Sequence, residues 1–184
     1  AMDAVTNPAF SGAMSKFGGL AVMNLEGIQS RYDNPEEVIA EIVSASKEDV
    51  TSVFQRLYSA PIRGELIEKR VKEIKSLGAV CAVSVTPAVA KSLAPLAVEA
   101  GADIIVVQST VTTARHISRS YRGLIFSELI ESVGVPVLVG NVVTYSASME
   151  LMEQGIDGLL VGVGPGAACT TRDVTGIGVP QVTS

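Results

Sequence analysis

The stretch "VEAGADIIVVQS", residues 98–109, holds the end of one element and all of the next. Val98 and Glu99 close a helix-like segment. Gly101 suits the left-handed position that stops a helix, because it has no Cβ to clash there. Ile104, Ile105, Val106 and Val107 then form a run that is apolar without alternation and ends on the polar pair Gln108 and Ser109. A strand with one wet face alternates. A continuous run predicts a strand covered on both faces, as in parallel sheets.

The same junction recurs as "SKFGGLAVMNL" (15–25), "IKSLGAVCAVSV" (74–85), "IESVGVPVLVGNVV" (130–143) and "MEQGIDGLLVGVG" (152–164). Strands are therefore predicted at about residues 20–25, 79–85, 103–109, 135–143 and 158–163. Amphipathic stretches separate them. "NPEEVIAEIVSA" opens with Asn-Pro and acidic residues, which favour a helix N-terminus. "GELIEKRVKEIKSL" places Leu66, Ile67, Val71 and Ile74 at helical spacing with charges elsewhere, and "TYSASMELMEQG" reads as a short helix capped near Ser146. Alternating strands and helices predict an α/β fold with a parallel sheet.

Doubly wound sheets and (β/α)8 barrels share this alternation. Polar residues follow several different strands: Asn24, Ser84, Gln108, Ser109, Asn141 and the loop around Cys169. In a barrel all those ends meet on one face, whereas a doubly wound sheet uses mainly one crevice. The barrel is the expectation. A complete one needs about 250 residues, and this chain has 184. Residues 1–184 are therefore expected to form a single partial (β/α)8 barrel, about strands two to six, without strands seven and eight. "AMD" reads as the tail of a strand, and Pro180 stands like an early helix residue. The open strand edges of such a piece would tend to associate.

The net charge is −5 with no Lys/Arg cluster, so no nucleic-acid footprint is expected. The opening "AMDAVTNPAF" lacks the features of a signal peptide, and no apolar run reaches the length of about 18 residues that a membrane helix needs. Two cysteines make no disulfide framework. A soluble, cytoplasmic protein without membrane partners is expected.

One of those cysteines, Cys169, lies in "VGVGPGAACTTRDVTGIGVPQ" (161–181). A free thiol near pKa 8.5 is mostly protonated at neutral pH, and the thiolate is the nucleophile. Gly162, Gly164 and Gly166 let backbone groups approach a ligand closely. Thr171 offers a hydroxyl two residues away. Composition alone leaves two readings open, a working nucleophile or a small residue in a Gly-rich turn.

"GVGPGAACTTRDVTGIGVPQ" resembles the cysteine loop of IMP dehydrogenases and GMP reductases. "AMDAVT", "GGLAVMNLEG" and "GNVVTY" match the family's first strand end, second strand and Gly-Asn-Val segment, so the resemblance runs along essentially the whole chain. It implies that Cys169 adds to C2 of a purine nucleotide and that Thr171 is its proton-transfer partner. Met2, Asn141, Gly166 and Ala167 would hold the nucleotide, with Asp3 supporting the Met2 strand end. Gln108, Ser109, Thr110, Gly162, Val163 and Gly164 would meet the cofactor NAD. The carbonyls of Gly164, Gly166 and Cys169 match positions that bind a potassium ion in the dehydrogenases; backbone oxygens suit a hard cation. The family commonly forms homotetramers.

The chain departs from the family pattern at three places. Ala167 stands where a Ser usually holds the phosphate, Gln108 where the dehydrogenases place Asp, and Leu160 where a basic residue is common. These departures are most similar to a short dehydrogenase-related branch. About fifty residues separate the second and third strands, too few for the CBS regulatory pair, so no CBS domain is expected. The resemblance implies conversion of IMP and NAD to XMP and NADH through a covalent thioimidate, in guanine nucleotide biosynthesis. GMP reductase, and a non-catalytic purine-nucleotide-binding paralogue, are the alternatives. Loops after strands seven and eight and a flap beyond strand six, which complete such a site, are expected beyond Ser184. Elsewhere, Cys81 reads as a small core residue and "RYDNPEE" as a solvated loop and helix start. His116 reads as an exposed loop histidine, and Tyr32, Tyr58 and Tyr121 show no base-stacking spacing.

Overall fold

The computed structural model describes Asp3, residues 5–114 and residues 123–184. Met2, His116 and Tyr121, named above, lie outside the described residues. The chain divides into two compact units, one of residues 1–85 and 93–103, the other of residues 86–92 and 104–184.

The first unit opens with α1 (Pro8–Lys16), where the Asn7 side chain accepts the Phe10 N–H at 2.8 Å as an N-cap. Then follow β1 (Val22–Asn24), a 3-10 turn (Ile28–Ser30), α2 (Pro35–Ser44), α3 (Val50–Tyr58), α4 (Gly64–Ser76) and β2 (Ala82–Val85). β1 and β2 pair in parallel, with Val22 opposite Ala82 and the polar ends Asn24 and Ser84 opposite each other. All four residues of β2 are buried, as its unbroken apolar run predicts.

The predicted face of α4 is the buried one. Leu66, Ile67, Val71 and Ile74 are at most 1% exposed, and each such side chain contributes about 1.5–3 kcal/mol of hydrophobic stabilisation. Arg70 corrects the expectation that charges lie elsewhere on that helix. It is buried with them, and its guanidinium donates to the carbonyls of Gln29, Tyr32 and Asp33 and pairs with Glu73. Burial is tolerated because the charge is paired and its donors are satisfied.

After α5 (Ala90–Glu99), the second unit contains β3 (Ile104–Gln108), α6 (Phe126–Val133), β4 (Val137–Val142), α7 (Tyr145–Met152), β5 (Gly158–Val161) and α8 (Thr171–Thr175). β3 pairs with β4, and β4 with β5, all parallel, with a register shift between Gly140 and Val142. The cap of α7 is Thr144, whose hydroxyl accepts the Ala147 N–H at 3.3 Å, rather than Ser146; Ser146 already lies inside the helix.

In each predicted junction the glycine between helix and strand, Gly18, Gly78, Gly101, Gly134 or Gly155, has a positive φ. The strands after them begin later than predicted where a side chain holds the leading residue. The Cys81 N–H donates to the Asp103 carboxylate at 2.8 Å, and the Val137 N–H to the Asp157 carboxylate at 2.8 Å. Among the described residues no helix is long and apolar enough to cross a membrane.

Candidate active site

The second unit brings three strand ends together. Gln108 closes β3, Asn141 lies within β4 and Gly162 follows β5. The Gln108 Nε2 donates to Asn141 Oδ1 at 3.3 Å, and Asn141 Nδ2 donates to the Gly162 carbonyl at 2.9 Å. The backbone is cross-tied beside them. Ser109 N–H donates to Gly140 O at 2.9 Å, and Asn141 N–H to Ser109 O at 3.0 Å. Thr112 adds a buried hydroxyl, donating to Gly140 O at 2.5 Å and lying 2.8 Å from Ser109 Oγ. Thr112 was missed in the sequence because nothing local marks a buried threonine beyond a strand end.

Gly162 opens the cysteine loop. Val163 is buried, and its carbonyl accepts the Val179 N–H at 2.9 Å, closing the loop on itself. Gly164 has φ +58 and sits against Thr171 and Arg172; Gly166 and Ala167 are exposed. Cys169 is half-buried, with Sγ 3.2 Å from Thr171 Oγ1. The Thr171 hydroxyl, then its backbone N–H, and more weakly the Arg172 charge hold the thiol below its ordinary pKa, against burial and Asp173. This is the polarity a nucleophilic thiol needs: the hydroxyl accepts from the thiol and donates to the thiolate. Cys81 is the contrast, with no exposed surface; burial first, and then the Asp103 charge, push its thiol up to about 11.

The potassium expectation meets an obstacle in this loop. The Gly166 carbonyl already accepts the Cys169 N–H at 3.1 Å and Arg172 Nη2 at 3.3 Å. A cationic guanidinium thus lies on one of the three oxygens that would ligate the ion, so the set of Gly164, Gly166 and Cys169 carbonyls does not fit a cation as arranged. Among the described residues no group of three or more His, Cys, Asp or Glu side chains could hold a metal.

Ser109 also borders a cavity of about 330 Å³ with Thr86, Lys91, Thr112 and Thr113 among its lining residues. Hydroxyls and one ammonium suit the oxygens of a ribose or phosphate. Gln108 and the exposed Thr110 are not among its lining residues. Lys91 and Thr86 were not singled out in the sequence, although "SVTPAVAK" directly follows a predicted strand end.

Asp3 belongs to the first unit and is held there from two sides. Its carboxylate accepts the Ile28 N–H at 3.0 Å and the Tyr58 hydroxyl. A Cβ on Gly27 would collide with that carboxylate. The Tyr58 phenol is pushed well above its ordinary pKa, by burial and then by Asp3. Asp3 thus ties the Ile28 backbone to Tyr58, a residue that carried no sequence signal.

Residues 1–184 match a family model described as IMP dehydrogenase / GMP reductase domain. An uncharacterized oxidoreductase of Mycolicibacterium smegmatis is 36% identical over 99% of this chain and 50% of its own length. An inosine-5'-monophosphate dehydrogenase of Cryptosporidium parvum is 47% identical over 50% of this chain and 22% of its own. The crystal structure of an IMP dehydrogenase/GMP reductase-like protein from Corynebacterium glutamicum superposes with a TM-score of 0.88 at 33% identity, over 99% of this chain and 48% of that one. The fold is accordingly α/β with five parallel strands, matching part of a (β/α)8 barrel. The chain spans about half the length of the uncharacterized oxidoreductases it matches.

Proposed function

The chain belongs to the IMP dehydrogenase / GMP reductase family, and from that premise we propose that the full-length protein oxidises IMP to XMP through a covalent adduct on Cys169. The observation that carries this reading is the Cys169–Thr171 pair, a half-buried thiol 3.2 Å from a hydroxyl and held below its ordinary pKa. The thiolate adds to C2 of the purine, a hydride leaves C2, and water hydrolyses the resulting thioimidate to XMP, returning the thiol. Covalent capture splits one hard displacement into two easier steps. NAD, when bound, accepts the hydride.

This chain's residues would serve that chemistry as follows. Thr171 stabilises the thiolate and moves a proton at Sγ. Asn141 is fixed beside the loop by its bond to the Gly162 carbonyl. Ala167 offers the nucleotide phosphate only its backbone N–H. Ser109, Thr112, Thr113 and Lys91 border the cavity of about 330 Å³ in which a dinucleotide's ribose or phosphate would sit. No step runs through potassium, because Arg172 already occupies the Gly166 carbonyl. Assembly as a cytoplasmic homotetramer belongs to the same reading.

The test is turnover by the full-length protein, with IMP and NAD in one arm and GMP and NADPH in the other. XMP formation, with a purine adduct trapped on Cys169, is expected. Reductase turnover without XMP would replace this reading with GMP reductase. Absence of both turnover and adduct would point to a nucleotide-binding paralogue. Normal turnover by Cys169→Ala would remove the nucleophile altogether.

A further inference from the structure

Gln108 is half-buried at the end of β3, and its carboxamide donates to the Asn141 oxygen. That bond leaves the Asn141 nitrogen facing the Gly162 carbonyl, to which it donates at 2.9 Å. A carboxamide has one oxygen that accepts and one nitrogen that donates. Rotating Asn141 by half a turn would set nitrogen against nitrogen at Gln108 and oxygen against oxygen at Gly162. The two bonds therefore select one Asn141 orientation between them.

Gly162 is the hinge between β5 and the cysteine loop. It is buried, stands at φ +121, and donates its N–H to Val142 O at 2.8 Å. The neighbouring backbone is already tied through Ser109, Gly140 and Thr112. The Asn141 amide adds a side-chain tie to the Gly162 carbonyl, and its orientation decides whether that tie forms.

We propose that Gln108 is a positioning residue for the cysteine loop: by engaging the Asn141 oxygen it aims the nitrogen that anchors Gly162, and so sets where the loop presents Cys169. A neutral amide is required there. An ionised carboxylate has no donor, would face the Asn141 oxygen, and would favour the reversed orientation, releasing Gly162. For its effect on turnover this inference rests on the nucleophile reading above; the anchoring itself stands on the hydrogen bonds.

The experiment uses the full-length protein, without nucleotide for labelling and exchange and with IMP and dinucleotide for steady-state kinetics. Alkylation of Cys169 by iodoacetamide is followed by mass spectrometry of the peptide that carries it, together with backbone amide exchange over residues 161–164. Gln108→Glu keeps the shape and loses the donor; Gln108→Met keeps the length and loses both polar groups, and it stands in if the Glu variant does not fold. Both variants are expected to change the alkylation rate by about 3- to 10-fold, the scale of one lost hydrogen bond, and to speed exchange at Gly162 and Val163. Unchanged alkylation and exchange, with only a raised KM for the dinucleotide, would make Gln108 a cofactor contact and overturn the proposal. Failure of the nucleophile reading shows separately, as turnover that survives Cys169→Ala while the alkylation change persists.

Discussion

Asp103 holds Cys81 by both backbone groups. The Cys81 N–H donates to the Asp103 carboxylate at 2.8 Å, and the Asp103 N–H donates to the Cys81 carbonyl at 2.8 Å. Asp157 repeats the arrangement on Val137, at 2.8 Å and 2.9 Å. Each aspartate follows a positive-φ glycine by two residues, in Gly101-Ala102-Asp103 and Gly155-Ile156-Asp157. The side chain does what a further strand residue would do, satisfying the N–H of the residue just before β2 and of the first residue of β4.

Asp103→Ala is expected to destabilise the protein by about 1–3 kcal/mol, the cost of leaving a buried N–H without its acceptor. Urea unfolding measures it. The pH dependence has a defined sign. Burial works against the Asp103 charge, but the Lys75 ammonium and the Cys81 N–H outweigh it and hold the carboxyl below its ordinary range. A lowered folded pKa gives stability that is present above the unfolded value, about 3.9, and lost as pH falls through the folded one. The Asp103→Ala penalty should therefore shrink in that acidic window.

Cys169 is expected to alkylate with a midpoint below the ordinary thiol value of about 8.5, because Thr171 favours its thiolate. Thr171→Val removes the hydroxyl, so the midpoint should rise and the rate at neutral pH should fall. If Thr171 also moves the proton during turnover, kcat drops by about 100-fold or more. A pH–rate profile of iodoacetamide labelling reads the first effect and steady-state kinetics the second. An unmoved midpoint would separate Thr171 from the thiol.

Gly140 and Gly134 should both resist alanine, to different extents and for different reasons. A Cβ on Gly140 would lie 2.5 Å from Leu160 Cβ and 2.6 Å from the Leu160 carbonyl oxygen, and a backbone oxygen cannot step aside. At Gly134 there is open space, and only the left-handed φ of +63 resists, at about 1–2 kcal/mol. Thermal melts should place Gly140→Ala well below Gly134→Ala.

Arg70→Met is expected to cost about 2–4 kcal/mol, because the carbonyls of Gln29, Tyr32 and Asp33 lose a charged donor together. Denaturant unfolding would register it as a lower midpoint with an unchanged slope. A neutral outcome would mean that water replaces the guanidinium.

The parts of the molecule legible in the sequence are those whose signals are local. The junction glycines and the unbroken apolar runs lie within a dozen residues of each other, and all five strands fell where that pattern put them. Arg70 was misread because its carbonyl partners lie 37 to 41 residues away. Ser146 was preferred to Thr144 as a cap because two hydroxyl residues two apart look alike until the backbone turns. In the candidate site, the thiol and its hydroxyl neighbour are two residues apart and readable. The Gln108–Asn141 bond spans 33 residues and joins two strand ends, so nothing in either segment announces it.

The double grip of Asp103 and Asp157 also bears on when the fold takes shape. The partners are 22 and 20 residues apart, and a ribosome adds about 5–20 residues per second. Each aspartate therefore leaves the exit tunnel within about 1–4 seconds of the residue it will hold. Contacts this short in sequence carry a small loop-closure cost. The head of each of these strands can be set while the nascent chain is still lengthening, as soon as the aspartate itself has emerged.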